Sequence, residues 1–103
     1  MSRNRKQYAV VVQDRAAQML YAHVHFLAKV SVPAARKLRD ALHDAMMSLE
    51  SMPFRCPEYR TLKTSDRYHQ LVVGRYKIIF TIHDKDMTVN IRYIFDARQE
   101  NDL

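Results

Sequence analysis

One hundred and three residues, 48% of them apolar, make a single domain with its own core and exclude a disordered chain. One cysteine excludes an internal disulfide, and the longest apolar run falls far short of the ~20 residues that a membrane helix needs. Seventeen Lys and Arg against 11 Asp and Glu leave a net charge of +6, which favours nucleic acid or an acidic protein as partner.

Residues 1–6 read as a basic tail, and the β-branched run at 8–12 that follows is too short to be a signal core. That run reads as a short strand. With one cysteine suited to reducing surroundings, the expected location is cytoplasmic. Asp14 is the expected N-cap of a helix over 15–30, with Ala16, Leu20, Val24 and Leu27 as its stripe and Met19 and Phe26 widening it. Ser31-Val32-Pro33 marks a boundary, because proline fits the first turn of a helix and not its interior. The next helix has the clearest periodicity. Ala35, Leu38, Leu42, Ala45 and Leu49 recur at three and four, while Arg36, Arg39, Asp40, His43 and Asp44 take the outer side. Met52-Pro53 ends it, and the very short link between the two helices predicts an antiparallel hairpin.

Residues 52–67 read as an irregular connector carrying Arg55, Arg60, Lys63 and Arg67, and loops of this length are often functional. Cys56 lies within it and reads as a filler, since thiolate chemistry would need an activating partner. Three strands follow, over 68–74, 75–83 and 87–95. Alternation puts Tyr76, Ile78, Phe80 and Ile82 on one buried face with Met87, Val89, Ile91, Tyr93 and Phe95. The free face then carries Arg75, Lys77, Thr81, His83, Thr88, Asn90 and Arg92, a cationic surface suited to something negative. Parity restricts the register. A two-residue turn at Lys85-Asp86, or a four-residue loop around it, places Ile82 opposite Val89, Phe80 opposite Ile91 and Ile78 opposite Tyr93. The fold class is therefore α+β, one domain over 1–103 in the order β-α-α-β-β-β. Its helical hairpin packs on one face of a small antiparallel sheet. His23 and His25 point to different sides of a helix and His43 is solvated, so no metal site and no cofactor are expected.

This order resembles the RelE/ParE toxin superfamily of bacterial type II toxin–antitoxin modules over nearly the whole chain. The resemblance rests on Pro33-Ala-Ala35 opening the second helix and Leu49-x-x-Met-Pro53 closing it. It continues through Arg67-Tyr68-x-x-Leu71-x-x-Gly-x-Tyr76-x-Ile78-x-Phe80 and ends in Asp96-x-Arg98-Gln99. It implies a toxin that arrests growth until a cognate antitoxin, acidic or amphipathic in its binding segment, wraps it. RelE-like members cleave mRNA in the ribosomal A site, and ParE-like members inhibit DNA gyrase.

The first expectation is a ribosome-dependent mRNA endonuclease in which the RNA's own 2′-hydroxyl attacks, with ribosome and mRNA as partners. Such cleavage needs cations on the pentavalent phosphate and a group titrating near neutrality, not a metal. The resemblance implies that Lys77 and Arg98 stabilise the phosphate and that His69 or His83 moves the proton. Lys63, Arg67, Arg75 and Arg92 would hold the RNA backbone. The alternatives are a ParE-like gyrase inhibitor without hydrolytic activity, and a non-toxic relative that only binds its antitoxin. Two departures bear on the choice. Leu71, Val72 and Val73 stand where RelE-like members place lysines and arginines. Beyond Arg98, where those members carry a tyrosine, this chain has the acidic Glu100-Asn-Asp-Leu103.

Overall fold

The computed structural model of the protein describes residues 7–60 and 67–102, so the basic tail at 1–6 and Lys63 lie outside the described residues. Strand β1 (Ala9–Val12) leads into α1 (Asp14–Ala28) and α2 (Val32–Met47). The 3-10 turns Ser48–Glu50 and Pro53–Arg55 follow, then a two-residue strand β2 (Glu58–Tyr59). The strands β3 (Tyr68–Val73), β4 (Tyr76–His83) and β5 (Thr88–Asp96) complete the sheet, and a short helical segment Ala97–Asp102 follows β5.

Gln13, extended and without a side-chain bond, takes the cap position of α1. Asp14 sits instead in the first turn, where a carboxylate favours the positive end of the helix dipole. Ser31 caps α2, its Oγ accepting the Ala34 N–H at 3.2 Å, with proline in the first turn.

The five strands are ordered β1-β5-β4-β3-β2. β2 through β5 pair antiparallel, and β1 runs parallel to β5, so the sheet is mixed rather than purely antiparallel. The parallel edge has a topological cause: the helical hairpin and three further strands intervene between β1 and β5, and parallel neighbours need such a crossover. The hairpin lies on one face. Ala16, Leu42, Met46 and Leu49 meet Ile78, Phe80, Val89, Ile91 and Ile94 in the main core. Each of the larger side chains contributes about 1.5–3 kcal/mol by leaving water. Phe26, placed by periodicity in the apolar stripe, is instead 71% exposed on the outer side of the hairpin.

A four-residue loop, Asp84 to Met87, joins β4 to β5, and Met87 adopts the left-handed region at φ 55° to close it. Tyr8 Oη donates to the Asp84 carboxylate at 2.5 Å and fastens the entry of β1 to this loop. The β3–β4 turn uses Gly74 at φ 59°, where a side chain would be strained. Near the loop the register is the one parity requires, with Ile82 opposite Val89 and Phe80 opposite Ile91. A bulge then inserts Arg92 into β5. Beyond it Ile79 faces Tyr93, Ile78 faces Ile94 and Lys77 faces Phe95. The expected pairing of Ile78 with Tyr93 is thereby corrected. Ile94 turns into the main core at 0% exposure, and Tyr93 and Phe95 move to the opposite face. β1 pairs with β5 only as far as Ile91, and beyond that point His23 Nε2 donates to the Ile94 carbonyl at 3.1 Å. Among the described residues no helix is long and apolar enough to cross a membrane.

Candidate functional site

The sheet face turned away from the hairpin is not a plain cationic surface. The bulge puts aromatic rings on it: Tyr68, Ile79 and Phe95 form a second cluster, bordered by Tyr59 and Tyr93. Tyr59 lies 6.2 Å from Phe95, and Tyr68 meets Tyr93 edge-on at 6.1 Å. Cations sit against this group at two places. Lys77 Nζ is 5.6 Å from the Tyr59 ring centre, and the Arg15 guanidinium carbon is 5.9 Å from that of Tyr93. Such pairs hold charge beside a ring face that is itself attractive to planar groups.

The end of the sheet where β5 stops is organised by a single carboxylate, which pairs with Tyr76 and so falls on the hairpin side. Asp96, the last residue of β5, is buried and takes three hydrogen bonds from the Arg98 side chain, Nε to Oδ1 at 3.1 Å and to Oδ2 at 3.2 Å, and Nη2 to Oδ2 at 2.7 Å. Its Oδ1 also accepts the Arg98 backbone N–H at 2.9 Å, and Arg75 Nε stands 3.8 Å from Oδ2. Hydrogen bonds from Arg98, helped by the charges of Arg98 and Arg75, hold the Asp96 carboxyl well below its ordinary range, at about 2. The same pairing raises the Arg98 guanidinium. The Ala97 N–H donates to the Arg75 carbonyl at 2.8 Å, so the β3–β4 turn and the exit from β5 form one unit.

Register decides where the expected site residues fall. Lys77 is half-buried on the open face, and Arg75 and Arg98 stand at its end of the sheet. His69 pairs with Phe80, so its ring turns to the hairpin side, where it is 7% exposed and stacks on Phe80 at 5.7 Å. His69 Nδ1 lies 2.9 Å from the Cys56 carbonyl and ties the connector to β3. His83 is exposed at the far end of β4, with Nε2 3.2 Å from Thr81 Oγ1. It lies six residue steps along the strand from Lys77, about 20 Å. Arg67 is exposed just before β3, at the His83 end, and Arg92 sits in the bulge beside α1. Arg75 and Arg98 are therefore brought together at Asp96, and Lys77 shares their end of the sheet but lies on the open face, while His69, His83, Arg67 and Arg92 are spread over other places. Burial pushes the Cys56 thiol up, against the opposing influence of Arg55, which suits its reading as a filler. Asp96 enters the sequence reading only within the closing motif and without a role, and Arg15, which stands out by nothing beyond its place in a first helical turn, is passed over.

Comparison with known proteins adds a family and a fold. A family model described as the ParE toxin of the type II toxin–antitoxin system parDE matches residues 10–101. A search of curated proteins gives no significant match. Among solved structures, the fold is similar to that in the chromosomal ParDE toxin–antitoxin system from P. aeruginosa. The TM-score is 0.70 and the identity 13%, over 88% of this chain and 97% of that one. It is similar also to a chain of the RelBE2 toxin–antitoxin complex from Mycobacterium tuberculosis, with TM-score 0.60 and 21% identity, over 87% and 91% of the two chains. The archaeal RelE–RelB complex from Pyrococcus horikoshii gives TM-score 0.54 and 17% identity, over 87% and 94%.

Proposed function

The chain belongs to the ParE toxin family of type II toxin–antitoxin systems, and from that premise we propose that it stops growth by binding DNA gyrase, without hydrolytic chemistry of its own. The observation that carries this reading is the scatter of the groups that RNA cleavage would need in one place. A proton-transfer group must lie within hydrogen-bond reach of the reacting oxygen. His69 is buried on the other side of the sheet, and His83 stands about 20 Å along the strand from Lys77. The Nε and one Nη of Arg98 are already given to Asp96. What remains is an aromatic and cationic surface, which is equipment for docking.

Ribosome-dependent mRNA cleavage is the second reading, and one observation favours it. Arg75 and Arg98 meet at Asp96, at the end of the sheet that also carries Lys77, and cations of this kind can stabilise a phosphate that gains charge. The two readings part in one experiment. Purified toxin added to gyrase and supercoiled plasmid is expected to trap linear DNA on detergent release, and induced cells are expected to lose DNA synthesis before protein synthesis. Protein synthesis failing first, with mRNA cut on ribosomes, overturns the gyrase reading. Unimpaired growth under strong induction overturns both, and leaves a relative that only binds its antitoxin.

The cognate partner in this reading is an antitoxin whose amphipathic, acidic segment covers the hairpin. Tyr21, Phe26, Val30 and Val32 expose apolar surface there, and surfaces of that kind call for cover.

A further inference from the structure

Where β1 ends and α1 begins, the bulge in β5 leaves a pocket of about 440 Å³ lined in part by Val12, Gln13, Asp14, Arg15, Arg92 and Tyr93. Two local facts build it. β1 stops pairing at Ile91, and the residue inserted by the bulge is Arg92, so a cation stands where the sheet has an open margin. The chain then turns at Gln13 into α1, which carries Arg15 across to the Tyr93 ring. Among the described residues neither Arg15 nor Arg92 has an ion-pair partner, whereas Arg75 and Arg98 are both engaged by Asp96. One carboxylate, Asp14, shares the lining with the two guanidiniums, which leaves a single net positive charge.

We infer that this pocket binds a phosphodiester group of nucleic acid, with Arg15 and Arg92 on its oxygens and Tyr93 against the adjoining sugar or base. Either a carboxylate or a diester phosphate can take both guanidiniums through its two free oxygens, as Asp96 does with Arg75 and Arg98, so it is the ring beside the charges that favours nucleic acid over an acidic peptide. Charge agrees: one net positive charge matches the one negative charge of a diester linkage. The aromatic wall is of the kind on which bases stack. The inference is independent of the gyrase reading, because it concerns nucleic acid and the toxin alone.

The test is the anisotropy of a short fluorescein-labelled DNA strand titrated with the full chain across a salt series. Arg15→Gln and Arg92→Gln are each expected to weaken binding by about tenfold, the loss of a charge-assisted contact. Each is also expected to lower the slope of log K against log salt by about one. Arg36→Gln, an exposed charge on the outer side of α2, serves as control and is expected to change neither by as much. Pocket losses no larger than those of Arg36→Gln overturn the inference, because binding would then reflect diffuse surface charge. It is equally overturned if a polyglutamate peptide needs both pocket arginines while DNA binding survives their removal. Arg15 is exposed in a first helical turn, so Arg15→Gln decides the matter alone should Arg92→Gln fail to fold at the bulge.

Discussion

The His69 ring has Phe80 stacked on one face, the edge of Phe54 at 6.0 Å, and the Cys56 carbonyl 2.9 Å from its Nδ1. A carbonyl can only accept, so Nδ1 carries the proton in this arrangement. His69→Leu keeps the bulk and removes the donor, leaving the carbonyl unpaired. The expected cost is about 1–3 kcal/mol in urea denaturation, with growth arrest retained at matched protein levels. Arrest lost from a folded, fully accumulated variant would return His69 to the chemistry. Asp96 gives a second residue-scale test, in pH. Its folded value of about 2 lies below the ordinary 3.8, so its stabilising effect is complete above the ordinary value and is lost as pH falls through the folded one. The Tm of the wild type should therefore exceed that of Asp96→Asn at neutral pH, and the gap should close between about pH 4 and pH 2. A gap that is constant over that window would mean that the ion pair with Arg98 is not what holds the end of β5.

β5 changes face partway along, and this one event accounts for most of what the sequence left illegible. The loop at residues 84–87 allows one parity, so Ile82–Val89 and Phe80–Ile91 could be read directly. Past Ile91 the chain reads Arg-Tyr-Ile-Phe, apolar on both parities, so alternation could not choose between Tyr93 with Phe95 and Ile94. β2 is two residues long, too short to leave a pattern, and β1 carries nothing in its side chains that sets a direction. The helices were legible because a three-and-four spacing of Ala and Leu has one interpretation, yet the same rule put Phe26 inside. The bulge is testable at the element scale. Without it Ile94 would lie on the open face, where truncation is mild. With it, Ile94→Ala should cost about 2–5 kcal/mol, against within about 0.5 kcal/mol for the exposed Val72→Ala. Equal costs in chemical denaturation would place the register shift elsewhere.

At the scale of the whole molecule, a surplus of positive charge and an apolar hairpin surface act on different steps of association. The net charge of +6 acts at a distance: it steers an acidic partner inward and is screened by salt. The apolar side chains act only after contact. Phe26 protrudes from α1, and Val30 and Val32 flank the turn into α2, so they can be buried only by something that lies along the hairpin. The order of the two helices and the long strands was readable in the sequence, but this surface was not, because a helix in a two-layer fold does not declare which apolar residues a partner will cover. If an antitoxin segment covers it, the two effects separate cleanly. Phe26→Ser should raise the dissociation rate of the toxin–antitoxin complex by roughly 30-fold, the size expected of a buried aromatic anchor, and leave the association rate nearly unchanged. Raising salt through the physiological range should do the reverse, slowing association with little effect on dissociation. Stopped-flow mixing of purified toxin and antitoxin reads both rates. A Phe26→Ser complex that dissociates at the wild-type rate would show that the antitoxin holds the toxin elsewhere, with the free edge of β1 the next surface to try.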